Sequence, residues 1–159
     1  MIKKLNLSER GQSFVEMATI LPVMIILFAG LIDAGRIFFS YVALRDAAQE
    51  GVNYGIYGYS QYAAANDLNG FTRQVTSRVR TASDAPVDLT DTSSVSVVIT
   101  QDGVTPFMIS DRPCTGKTII VRVTYQFPID APLFGGIVGA QSFPLSGIAN
   151  GTIVSPGCH

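Results

Sequence analysis

Few residues in this chain are placed to do chemistry. The one histidine, His159, is the last residue, and the two cysteines are Cys114 and Cys158. With no Cys-x-x-Cys pair, a zinc ion would need two distant cysteines, the terminal histidine and a carboxylate, so no metal site is expected. A nucleophile–base pair needs a histidine or its equivalent inside the chain, and none is there. Asp84, Asp88 and Asp91 lack the spacing of a calcium loop. "GGIVG" at Gly135 lacks the strand–helix setting of a nucleotide site. The reading is non-enzymatic, with no cofactor. One acid stands out by its setting. Glu16 is the only charge in the run from Phe14 to Ile32. A carboxylate in hydrocarbon costs a few kcal/mol, so it calls for a positive mate.

The elements that must position Glu16 begin with that run. It holds about 19 residues, close to the roughly 20 that cross a 30 Å hydrocarbon layer. Lys3, Lys4 and Arg10 precede it against one acid, Glu9. By the positive-inside rule the N-terminus stays cytoplasmic and the rest crosses to the other side. Three readings compete. A cleaved secretory signal wants a shorter apolar region and small residues at its exit, where "FAGLIDAG" offers Phe28, Ile32 or Asp33. A plain signal anchor leaves Gly11 and Glu16 incidental. In the third, the basic leader is cut off after Gly11 and the apolar helix is kept. Gln12 then carries a new α-amino group one helical turn before Glu16, and the two charges face the same side. That amine, or the amine of a neighbouring copy, offsets the burial of the acid.

Composition agrees with a membrane segment. Hydrophobic residues make up 47% and charged residues 14%, the latter well below the usual quarter of a soluble domain. A net charge of −1 gives no electrostatic case for nucleic acid. Pro22 lies inside the apolar run; it removes one backbone donor and serves as a point of helix flexibility or a harmless kink. The helical pattern continues past Asp33 and Arg36. Ala34, Ile37, Tyr41, Leu44 and Ala48 form one apolar stripe, and Gly51 is the expected stop. "NYGIYGYSQY" reads as a turn-rich connection.

Beyond it, Leu68, Phe71, Val75 and Val79 predict a second helix over 66–81, with Arg73, Arg78 and Arg80 on its polar side. "ASDAPVDLTDTS" reads as a loop. "SVSVVITQ" and "KTIIVRVTYQFPI" are strands, with a turn at Asp102-Gly103. "SFPLSGIANGTIV" is a last strand broken by Pro144 and Gly147. The sheet's apolar face and the helix's stripe are each unburied alone, so they pack together. The fold class is α+β: a long N-terminal membrane-spanning helix on a small antiparallel sheet. Cys114 and Cys158 are buried thiols or, outside the cytoplasm, a candidate disulfide closing a loop of about 44 residues.

"KKLNLSERGQSFVEMATILP" resembles a type IV prepilin signal. The longer stretch "RGQSFVEMATILPVMIILFAGLIDAGRIFFSYVALRDAAQEGVNYG" resembles the TadE-like minor pilins of the tight-adherence (Tad, or Flp) pilus. "VTYQFPIDAPLFGGIVG" and the closing strand are similar in a weaker form. The resemblance implies a type IV pilin-like architecture: a leader over 1–11, a long helix over 12–53 with its span at about 14–32, and an extracytoplasmic α+β domain over 54–159. It implies cleavage by a prepilin peptidase between Gly11 and Gln12, with Glu16 as the recognition and assembly residue. Its partners would be the major and other minor pilins, the inner-membrane pilus assembly platform and the lipid bilayer. The protein would be single-pass in the cytoplasmic membrane and extracytoplasmic after assembly. Met17 follows Glu16 where major Flp pilins carry tyrosine, which separates this chain from the major pilin. The alternative is an uncleaved, single-pass anchored domain that binds an extracytoplasmic ligand.

Overall fold

The computed structural model describes residues 8–58, 60–63, 67–103, 116–129 and 142–154; the side chains of residues 8–12, 60 and 63 are outside that description. The elements are α1 (Ser8–Gly58), α2 (Ser60–Ala63), α3 (Leu68–Arg80), β1 (Val95–Gln101), β2 (Thr118–Pro128) and β3 (Ser142–Thr152). The strands form one antiparallel sheet in the order β1-β2-β3. The chain divides into two units between Arg36 and Ile37.

The distal unit is an α+β fold in which the second half of α1 and all of α3 cover one sheet face. β2 supplies Ile119, Val121 and Val123 to the core, every second residue, as a strand with one covered face must. β1 adds Val95, and β3 adds Ala149, followed by Ile153. From α1 come Leu44, Ala47, Ala48 and Val52; from α3, Leu68, Phe71, Val75 and Val79. The α3 stripe is the one its spacing predicts. The Asp67 carboxylate caps the helix by accepting from the Gly70 N–H at 2.7 Å, which satisfies one orphan donor of the first turn.

Several expectations are corrected. First, α1 does not stop at Gly51 but continues to Gly58. Gly51 lies inside the helix because a Cβ there would meet Val79 Cγ2 at 2.5 Å and Val121 Cγ1 at 3.4 Å. One turn on, a Cβ at Gly55 would meet Ile119 Cδ1 at 2.5 Å and lie 3.8 Å from the Phe71 ring. The two glycines face β2 and α3, and the pairing of Gly51 with Val79 and Gly55 with Phe71 makes α3 antiparallel to this part of α1.

Second, the buried stripe of α1 is Ser40, Ala43, Leu44, Ala47, Ala48, Gly51, Val52 and Gly55, while Tyr41 and Ala34 are exposed. Close approach selects the small residues, not the most apolar ones.

Third, β3 is unbroken through Pro144 and Gly147. The Ile153 N–H donates to Lys117 O at 2.9 Å. Strand alternation from there points the Pro144 nitrogen away from β2, so the ring removes no ladder bond. Gly147 is demanded by packing: a Cβ there would sit 2.5 Å from the Leu44 carbonyl carbon and 2.6 Å from the Arg45 nitrogen.

The described residues of the tyrosine segment, 53–58 and 60–62, are helical where a turn-rich connection was expected. Tyr54 and Tyr57 ride the last turns of α1 and Tyr62 lies in α2; Tyr59 is outside the described residues. The Tyr54 and Tyr62 hydroxyls are 3.2 Å apart, and Gln61 Nε2 donates to the Tyr54 hydroxyl at 3.0 Å. The Arg78 guanidinium stands 5.3 Å over the Tyr54 ring, a cation–π contact. Arg80 also leaves the solvated face: its Nη1 donates to Leu89 O at 2.9 Å. Residues 82–94 are a loop as read, with Val87 and Leu89 turned into the core.

The turn residues do what their types allow. Asp102 and Gly103 take φ of 48° and 80°, the left-handed region open to Asp and Gly. The Asp102 carboxylate accepts from the Thr118 N–H at 2.9 Å and pairs with Lys117 Nζ at 2.9 Å.

Candidate functional site: the exposed half of helix α1

In residues 13–36 the hydrophobic pattern has no preferred side. Phe14, Val15, Met17, Ile20, Val23, Ile25, Leu27, Phe28, Leu31 and Ile32 are all more than half exposed. A helix apolar all round belongs in a protein core or a membrane, and among the described residues these side chains stand exposed. Its best 18-residue stretch has a mean hydropathy of 2.3, and it is the one helix among the described residues long and apolar enough to cross a bilayer. This supports single-pass anchoring.

Polar groups in this half are managed locally. Thr19 Oγ1 donates to Val15 O at 2.9 Å, the i−4 bond that hides a hydroxyl on a helix. Pro22 sits inside α1 without ending it, and Ala18 O loses its usual amide donor there. Asp33 and Arg36 pair one turn apart at 3.7 Å, at the end of the apolar run.

Gly11 and Gln12 lie on the helical backbone of α1, and Glu16 follows one turn later with an exposed side chain. The structure therefore puts the three on one continuous helix. Cys114 and Cys158 lie outside the described residues. Among the described residues, no three His, Cys, Asp or Glu side chains gather into a metal site.

One group of residues escaped the sequence reading. Phe38 and Phe39 are 61% and 63% exposed beyond Arg36, with Val42 also exposed. Their signal was available: none of them belongs to the apolar stripe.

No curated protein matches the chain, and no solved structure does. The family described as TadE-like protein matches residues 11–53. That segment starts at Gly11, takes in the whole exposed apolar run and reaches through most of the buried stripe of α1. Over residues 11–53 the chain is similar to the TadE-like family.

Proposed function

We propose that this protein is a TadE-like minor pilin precursor, structural and non-catalytic, that takes part in assembling a tight-adherence pilus. The family match suggests association with such a pilus, and the apolar helix suggests a membrane anchor. The reading goes further. The chain inserts with its N-terminus in the cytoplasm, a prepilin peptidase cuts between Gly11 and Gln12, and residues 12–53 serve as anchor and assembly helix. The rest is presented on the far side. Major and other minor pilins and the inner-membrane assembly platform are its partners.

The observation that carries the proposal is a single carboxylate, Glu16, on an otherwise apolar helix surface one turn after Gln12. An acid costs about 2.5–3.5 kcal/mol at the bilayer centre on insertion scales, and less toward the membrane edge where Glu16 lies. A new α-amine at Gln12, on the same chain or a neighbour, offsets that cost when helices bundle. Pro22 gives the helix a bending point as it leaves lipid for a bundle.

Two measurements test the reading. Glu16→Ala should leave membrane insertion intact and abolish incorporation into pili; normal incorporation would sink the electrostatic role. The mass of the protein from its native cell should correspond to a chain beginning at Gln12. An intact leader would favour the uncleaved anchored binding domain instead.

A further inference from the structure

The order β1-β2-β3 leaves one side of β3 without a neighbouring strand. Which backbone groups lie there follows from the ladder. The Ile153 N–H donates to Lys117 O, and the register runs unbroken along β2 and β3. The odd-numbered residues of β3 therefore bond to β2, and the even-numbered ones turn their N–H and C=O outward. Pro144 has no N–H to offer. Ser146, Ile148, Asn150 and Thr152 do, and no described residue takes them. Natural edges are usually blunted by charged side chains or bulges. β3 carries no charged residue, and no bulge interrupts its register.

Helix α1 turns this edge into a groove. Its Leu44–Arg45 backbone lies on Gly147, and Val52 and Ile56 lie on Gly151, so helix and strand run side by side in the same direction. Arg45, Gln49 and Asn53 are exposed on the flank of the helix. With Ile148, Ala149 and Asn150 of β3 they line an opening of about 300 Å³. Arg45 is the one charged side chain in its lining. The neighbouring acids Asp46 and Glu50 turn to the other flank, where they share a hollow with Arg78. The groove beside β3 is therefore cationic.

We propose that the outer edge of β3 is the docking site for an extended segment of a partner protein, which pairs with the backbone of Ser146, Ile148 and Asn150 and sets a carboxylate against Arg45. A strand about 4.8 Å beyond β3 lies beneath the row of Arg45, Gln49 and Asn53. Its main chain supplies affinity, and every second side chain meets that row. The row selects polar side chains and one acid, because a carboxylate is the charge-assisted mate of a guanidinium. The edges of a second copy do not supply it: neither β1 nor β3 contains Asp or Glu. The other edge of the sheet is less open, since the Val95 N–H already donates to Asp91 O at 3.0 Å. The proposal concerns the distal unit alone and is independent of leader cleavage, membrane insertion and pilus membership.

The probe is a capped nine-residue peptide alternating threonine and valine, with one central glutamate, added to the full-length protein in detergent micelles. Amide exchange read by NMR should slow about tenfold or more at Ser146, Ile148 and Asn150. It should stay unchanged at Gly147 and Ala149, which already bond to β2. Replacing the peptide's glutamate by lysine should weaken binding about tenfold, and Arg45→Glu should reverse that preference. Methylating one alternate set of peptide nitrogens should abolish binding and methylating the other set should not, because only one edge of the peptide faces β3. Ile148→Pro removes an outward N–H and no ladder bond, so it should abolish binding while the thermal transition of the distal unit remains. If that variant unfolds, the methylated peptides decide alone. Three results would each overturn the proposal: no slowing of these amides at millimolar peptide, equal sensitivity to both methylation patterns, or a glutamate preference that Arg45→Glu leaves unchanged. Slowing that grows with protein concentration in the absence of peptide would assign the edge to a second copy and would overturn it as well.

Discussion

Leu27 and Leu44 belong to the same helix, yet Leu27 is 64% exposed and Leu44 is 0% exposed. The two halves of α1 solve different problems. Before Arg36 the surrounding medium is expected to be lipid, which accepts any large apolar side chain on any face. After Ile37 the medium is this protein's own sheet and α3. That interior accepts only shapes that fit, so one face is reduced to Ser, Ala and Gly, with Leu44 and Val52 filling the gaps. Hydropathy records the first problem well. It records the second poorly, because alanine and glycine carry little hydropathic signal.

The sharpest way to break this contrast is to put bulk where backbones meet. Gly147→Val in the full chain should cost about 3 kcal/mol or more, the upper end of overpacking, because its Cβ would collide with the backbone of Leu44 and Arg45. Thermal unfolding in detergent should show the distal transition lost or greatly lowered; an unchanged transition would mean the helix does not seat on β3 as described.

A paired truncation comes next. Leu44→Ala should destabilise by about 2–5 kcal/mol, the usual range for a buried leucine. Leu27→Ala should stay within about 0.5 kcal/mol, as for an exposed site. Equal effects would erase the distinction between the halves.

The smallest effect is an acid limb confined to the distal unit. Hydrogen bonds from the Ser94 and then the Ser93 hydroxyl hold the Asp91 carboxyl down at about 2, against an ordinary 3.8. Asp88 is lowered chiefly by the Thr90 hydroxyl, and Asp102 by the Thr118 N–H and then Lys117. These groups bind protons less readily folded than unfolded. Their contribution is therefore full above about pH 4 and drains away as pH falls toward 2. Asp91→Asn should flatten that limb of a melting-temperature profile and leave neutral pH nearly unchanged.

Much of the distal fold was legible residue by residue. Leu68, Phe71, Val75 and Val79 announced α3, and the alternation through Ile119, Val121 and Val123 announced β2 and its covered face. The misreadings share one cause. Gly51, Pro144 and Gly147 were judged by what their backbones permit locally, as a stop and two breaks. Their neighbours decide instead: Val79 and Val121 crowd Gly51, the outer edge of the sheet tolerates Pro144, and the Leu44 backbone requires Gly147. Such contacts join residues 28, 70 and 103 positions apart and leave no local trace. The candidate site was legible differently. Gly11, Gln12 and Glu16 form a short motif whose spacing carries its meaning, so a single helix is enough to assemble it. Phe38 and Phe39 escaped that reading although their absence from the apolar stripe was itself a signal.

The seat of α1 on β3 also has a mechanical side. Any tension applied at the N-terminal end reaches the distal unit through one helix, whose Leu44–Arg45 backbone bears directly on Gly147. Within the distal unit, this stretch of helix cannot shift along its axis without displacing the strand beside it.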